Sequence, residues 1–313
     1  MKSNSRFGPL KSFWNVLKNA GSEFASDNGM KLSAALAYYT IFSIGPVLII
    51  IISLAGLFYG REAVQGKIYY QINGLVGDSA ALQIQDIIQN IEKSQQSASG
   101  AVLGVIVLLI GATGVFTEIQ DSINYIWSIK AKPKRGLVRL LVNRLISFSL
   151  IISFGFIMLV SLIINAVVDL LQDRLQRYFD SLTVYIFQGI NYVVLFVIIT
   201  FLFAIIFKVL PDAKIRWRDS LVGASFTSFL FLIGKFLISY YLGHSNIGET
   251  YGAAASIMLL LLWVYYTSVI LFFGAEFTKV YTLNLGSGIE PDKTAVFILK
   301  REAKELNYEK IEG

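Results

Sequence analysis

The stretch YVVLFVIITFLFAIIF, residues 192–207, runs for sixteen residues without a charge and without alternation between polar and apolar positions. A strand with one face in water or in a barrel lumen shows a period of two, so this segment reads as a helix that is apolar all round. The uncharged run around it extends from Ser181 to Phe207, 27 residues. A bilayer core about 30 Å thick takes about 20 residues of helix, so the run is long enough to cross. Four more runs pass the same test: Leu32–Gly60 (29 residues), Ser94–Thr117 (24), Leu145–Val168 (24) and Thr250–Ala275 (26). A sixth, Ser220–Gly248, is interrupted only by Lys235. Backbone groups in lipid must be satisfied within their own segment, which favours helices. The fold class expected is an all-α polytopic membrane protein with six transmembrane helices, at about 33–59, 98–119, 145–169, 183–207, 219–242 and 252–277.

Composition agrees. Of 313 residues 55% are apolar and 15% charged, against about 25% charged in a soluble domain, and mean hydropathy is +0.62. No Cys is present and the one His is His244, so disulfides, thiolate sites and His-based metal clusters are excluded. Lys and Arg set the orientation. Twenty-one fall in the two terminal segments and in the connections 121–144 and 208–219, against five in the other connections. Both termini are therefore expected in the cytoplasm, and the basic pI near 9.3 reflects topology, with no nucleic-acid partner implied.

Residues 1–31 form a cytoplasmic or interfacial segment, 32–280 the transmembrane domain and 281–313 a cytoplasmic tail. In the first, Leu10, Phe13, Trp14, Leu17 and Phe24 recur near helical spacing beside Lys11 and Lys18. That pattern fits a helix lying on the inner leaflet, and packing against the bundle would give the same pattern. The first outer loop, 60–99, carries two amphipathic stretches on either side of 74–78, read as a helical hairpin that caps the outer face or covers a lateral opening. In the tail, TAVFILKREAKELNYEK (294–310) reads as a short helix. Three spans followed by three would match an inverted repeat, but the echo of Tyr38-Tyr39-Thr40 in Tyr265-Tyr266-Thr267 is too short to establish one.

LSAALAYYTIFSIGPVLIIIISLAGLF (32–58) resembles the first-helix signature of the YihY / virulence factor BrkB family of bacterial inner-membrane proteins. TYGAAASIMLLLLWVYYTSVILFFGAEF (250–277) resembles its last-helix signature. FTEIQDSINYIW (116–127) and WRDSLVGASFTSFLFLIGKFLISYYL (217–242) stand at the expected positions between them, and the similarity covers about residues 10–285. The resemblance implies a six-helix protein of the bacterial inner membrane. It also brings a historical label, ribonuclease BN, although the family looks more like a membrane transport component that moves lipid towards the outer envelope.

The residues themselves argue against a nuclease. Hydrolysis of RNA needs a metal cluster or a placed acid–base pair, and this chain has one His, scattered acids and no Gly-rich phosphate loop. His244, at the outer end of span five, reads as interfacial. Polar groups within lipid are more informative, because a central Lys costs about 2.5–3.5 kcal/mol on insertion scales. Lys235 lies two thirds of the way out along span five, and its side chain leans towards the helix N-terminus and the membrane centre. It needs a partner or water. Asp169, at the outer end of span three, is the best-placed acid, and the pair is either structural or part of a head-group or anion site in a cavity.

At the cytoplasmic ends of the spans stand Glu118, Glu276 and Arg144, followed by Asn124 and Trp127, which are expected to seat this corner at the membrane interface. They form a structural cluster or a proton or substrate relay. Pro46 after Gly45 must release a backbone hydrogen bond and kink or break span one, and with Tyr38 and Tyr39 it completes the cavity candidates. Gly100, Gly104 and Gly111 share a face of span two suited to close helix packing.

The reading that follows is a non-enzymatic transporter or transport accessory of the inner membrane, without cofactor or metal, that moves lipid or another amphipathic substrate through a cavity in the bundle. No nucleotide-binding motif supplies energy. Alternatives are a scaffold anchoring an envelope-spanning protein partner and an ion-coupled exporter of small solutes. Membrane lipids are the expected partners, and the oligomeric state stays open.

Overall fold

A computed structural model describes residues 9–43, 85, 114–132, 181–244 and 255–300. Within them the chain is mostly helical: α1 (Pro9–Ser26), α2 (residues 29–43), α3 (residues 114–126), α4 (Ser181–Val209), α5 (Trp217–His244) and α6 (Ala255–Asn284). Residues Trp217–Ile238 of α5 and Leu260–Asn284 of α6, 22 and 25 long, are long and apolar enough to cross a membrane, and Val193–Val209 of α4 is a shorter apolar helix. Spans four, five and six of the sequence reading fall on α4, α5 and α6. Most of span two, all of span three and the hairpin expected in 60–99, save helical Gln85, lie outside the described residues.

Local chemistry sets the helix ends. Pro9 opens α1, where its missing N–H costs nothing. Asn28 takes the left-handed conformation (φ 56°) that closes α1, and its carbonyl then accepts from Lys31 and Leu32 to begin α2. The turn is tight enough that a β-carbon on Gly29 would lie 2.2 Å from the Phe24 ring. Ser128 (φ 57°) ends α3 in the same way.

α4 packs on α5, α5 on α6, and α1 across α6. The main core joins Ile123 and Trp127 to Phe203, Phe207, Ala224, Phe272 and Ala275. A second core sets Val16 and Ala20 of α1 against Phe277 and Val280. Phe13 lies 5.8 Å from Phe277 and Phe24 lies 5.7 Å from Phe273. Eleven residues of α1, about 16 Å, thus match four residues of α6, about 6 Å, so α1 lies steeply across α6.

The segment after α6 departs from the sequence reading. Instead of beginning a helix at 294, it folds back as two short antiparallel ribbons. β2 (Ala213–Lys214) pairs with β3 (Glu290–Pro291), and β1 (Ile129–Ala131) pairs with β4 (Ala295–Phe297), in register Ile129↔Phe297 and Ala131↔Ala295. The physical reason lies in edge groups: the chain leaving α3 presents free backbone N–H and C=O that the β-prone TAVF stretch satisfies, and the chain leaving α4 presents others that Glu290–Pro291 meets. Asp219 in the first turn of α5 fastens the start of this segment by accepting from Ser287 N (3.0 Å) and Ser287 Oγ (2.6 Å).

Candidate functional site

Glu276 and Lys279 stand three residues apart on α6 and share a face, with Lys279 Nζ 3.0 Å from Glu276 Oε2. The last turn of α1 and the residue after it bring two more acids to the same ammonium: Glu23 Oε2 at 2.5 Å and Asp27 Oδ2 at 3.4 Å. At the end of α3 the Ile126 carbonyl has no partner within its own helix, and it accepts from Lys279 Nζ at 2.8 Å. Lys300, just past β4, pairs with Asp27, donates to the same carbonyl at 3.3 Å and lies 4.4 Å above the Tyr125 ring. Two ammoniums, from α6 and the C-terminal segment, therefore share one carbonyl, and three carboxyls pair with those ammoniums. Glu276 is fully buried, while Asp27 and Lys279 keep only small exposure.

Burial alone would raise the Asp27 carboxyl. The neighbouring Glu276 and Lys300 and the charges of Lys279 and Lys300 outweigh it and hold Asp27 below the usual carboxylate range. Burial pushes the Lys300 ammonium down, Asp27 opposes this, and the positive charge of Lys279 leaves it below the ordinary lysine value. The arrangement is a clamp: each ammonium bridges elements far apart in the chain, and none of its bonds depends on a ligand.

Of the polar corner read from the sequence, Glu276 enters this clamp. Glu118 instead accepts from Ser122 Oγ at 3.3 Å on its own helix. Asn124 turns to the α4–α5 connection, where it donates to Asp212 Oδ2 at 3.0 Å and accepts from Asp212 N at 2.8 Å. Trp127 does not seat the corner at the membrane interface: it is 2% exposed, inside the protein core, with Nε1 donating to Ala275 O at 3.0 Å. Its apolar surface is covered by packing between α3 and α6, which the sequence pattern of one helix does not disclose. Arg144, Asp169, Pro46, Gly100, Gly104, Gly111 and the side chain of His244 lie outside the described residues.

The cavity candidates are more dispersed. Tyr38 and Tyr39 are exposed on α2, their rings 5.8 Å apart, with Phe42 4.9 Å from Tyr38. Lys235 is half-buried on α5 and, among the described residues, forms no ion pair. It follows Gly234, where a β-carbon would lie 2.6 Å from Tyr266 and 2.7 Å from Ile270 of α6. Close Gly223–Thr278 and Gly274–Thr227 contacts put Glu276 level with residue 225 of α5, so Lys235 stands roughly 15 Å farther along the helix. Glu23, Asp27, Lys279 and Lys300 were not among the residues marked from the sequence. The signals present were two paired spacings, acids four apart at the end of an amphipathic helix and an acid–lysine pair three apart at the end of a span.

A family model described as Virulence factor BrkB matches residues 20–296, a stretch that includes every member of the clamp but Lys300. The chain belongs to the virulence factor BrkB family. Relatives named UPF0761 membrane protein include one from Alcanivorax borkumensis, 25% identical over 283 residues, which covers 88% of this chain and 61% of the relative. One from Azotobacter vinelandii is 27% identical over 285 residues, 87% of this chain and 63% of the relative. One from Pseudoalteromonas atlantica is 26% identical over 256 residues, 81% of each. The chain thus spans a little under two thirds of the length of the first two. No solved structure shows significant similarity to it. With relatives named as membrane proteins and two helices among the described residues long and apolar enough to cross, this BrkB-family chain is a membrane protein.

Proposed function

We propose that this BrkB-family protein is a multi-pass transporter or transport accessory of the bacterial inner membrane, with both termini in the cytoplasm, and that it moves lipid or another amphipathic substrate through a cavity among its helices without catalysing a reaction. The observation that supports this reading best is Lys235. It is the one charge between Ser220 and Gly248, it is half-buried, and it has no ion pair among the described residues. A charge kept in a lipid-spanning helix at a cost of a few kcal/mol marks a polar path or a head-group contact more often than a packing site. The clamp at the other end of α6 fits the static part of such a machine, because it ties α1, α6 and the C-terminal segment together.

The test compares wild type with Lys235→Met by native mass spectrometry of gently extracted protein, beside complementation of an envelope phenotype. Bound phospholipid lost in the variant, with activity lost and melting temperature kept, supports the reading. A fully active variant with the same bound lipid removes Lys235 from the path. A stoichiometric envelope protein on the wild type with no bound lipid would support a scaffold instead.

A further inference from the structure

α1 carries more apolar surface than the protein covers. At about 100° per residue, Val16, Ala20, Phe13, Phe24, Leu17, Leu10 and Trp14 occupy a continuous apolar arc about 160° wide. The buried part is the side formed by Val16, Ala20 and Phe24, against α6. The arc continues past that side to Trp14, which stays 64% exposed, while Phe13, between Ala20 and Phe24 around the helix, keeps 47% exposure near the start of α1. The remaining arc is polar: Lys18, Ser22, Asn15 and Asn19 are all exposed.

The position of the uncovered flank says what meets it. The Phe13 ring lies 6.3 Å from Phe226 and 5.8 Å from Phe277, and both residues belong to the stretches of α5 and α6 that are long and apolar enough to cross a membrane. α5 bears its own exposed apolar stripe, with Leu221, Phe229, Ile233 and Phe236. Because α1 lies steeply across α6, its axis runs close to the membrane plane when α6 spans. One flank then faces the acyl chains and the opposite flank faces water.

We propose that α1 is an in-plane membrane helix whose Trp14 flank enters the acyl region of the leaflet at the α1 end of the bundle, continuous with the lipid-facing side of α5. Lys18, next to Trp14 on the helix surface, reaches back to the headgroups. The inference concerns how the protein sits in its bilayer, and it stands whether or not the protein moves lipid.

The chain has no Cys, so single labels report one position each. Full-length Trp14→Cys and Asn19→Cys carry nitroxides in vesicles of phosphatidylethanolamine and phosphatidylglycerol, and collision with oxygen is compared with collision with a water-soluble nickel chelate. Position 14 should favour oxygen several-fold, as Phe236→Cys on α5 does, and position 19, about 140° away around α1, should favour the chelate. Chelate-dominated collisions at both positions would overturn the proposal, as would a position 14 shielded from both reagents, the mark of a protein contact. Gly21→Cys, about 20° from position 14 around α1 and exposed with nothing within 4 Å of its β-carbon, repeats the reading at a second site, so one poorly folded variant does not decide the outcome.

Discussion

Thr278 Oγ1 stands 2.0 Å from where a β-carbon on Gly223 would be, and Thr227 Oγ1 stands the same distance from that position on Gly274. The two contacts are reciprocal. Gly223 and Thr227 are four apart on α5, Gly274 and Thr278 four apart on α6, and each threonine donates to the carbonyl of the glycine on its own helix, at 2.8 and 2.6 Å. Antiparallel helices thus interlock through two Gly-x-x-x-Thr steps, with small residues allowing close approach and hydroxyls satisfied locally.

Gly223→Ala and Gly274→Ala should each lower the melting temperature in detergent, by an overpacking cost of about 1–3 kcal/mol. Gly21→Ala on α1 is the control, since nothing lies within 4 Å of its β-carbon and helix propensity favours Ala by about 1 kcal/mol. Thr278→Ala should recover most of the loss in Gly223→Ala and little of that in Gly274→Ala. Equal effects at all three glycines would show that the interlock does not limit stability.

Lys279→Met should be the most destabilising single change in the clamp. It takes the ion-pair partner from Glu23 and Glu276, leaves Asp27 with Lys300, and removes a donor from the Ile126 carbonyl. Removing one partner of a buried ion network typically costs about 3–5 kcal/mol. Lys300→Met should cost less, because Lys300 is more exposed and Lys279 still reaches Asp27. The order of the two melting temperatures checks the assignment.

The Asp27 carboxyl is held below its ordinary value, so the folded state gives up that proton more readily than the unfolded chain does. Its contribution to stability is therefore complete above the unfolded value of about 3.9 and is lost as pH falls through the lower folded value. The gap in melting temperature between wild type and Asp27→Asn should shrink in acid, as pH falls below about 3.9. A gap that widened on acidification would contradict the depressed carboxyl.

For topology, Lys293 is a better reporter than Ser287, whose N–H and hydroxyl are both committed to Asp219, whereas Lys293 is exposed. A cysteine replacing Lys293 should resist an impermeant maleimide in intact spheroplasts and react after permeabilisation. Reaction in intact cells would refute the cytoplasmic C-terminus.

Purified protein is expected to leave RNA intact beyond the background of an unrelated membrane protein prepared alongside. Cleavage that followed the protein through chromatography and vanished with Glu118→Gln would refute this.

What the sequence disclosed depended on range. Uncharged runs placed α4, α5 and α6, because hydropathy over twenty residues is a property of the segment itself. The amphipathic arc of α1 was equally visible, although its partners were not, since a leaflet and a packed helix ask for the same spacing. The clamp was hidden because its bonds join Asp27 to Lys279 and Lys300, whose positions on the page carry no mark of proximity. β4 was misread as helix because TAVFILK fits either state, and pairing with Ile129–Ala131 settles it.

The clamp also sets an order of events during synthesis. α1 leaves the ribosome before α6, and Lys279 lies 252 residues after Asp27 and Lys300 lies 273 after it. At about 5–20 residues per second, the acids of α1 wait on the order of ten to fifty seconds for their cations. Closure of the clamp is thus a late step, and a chain truncated before Lys300 would complete α6 while leaving α1 half-fastened.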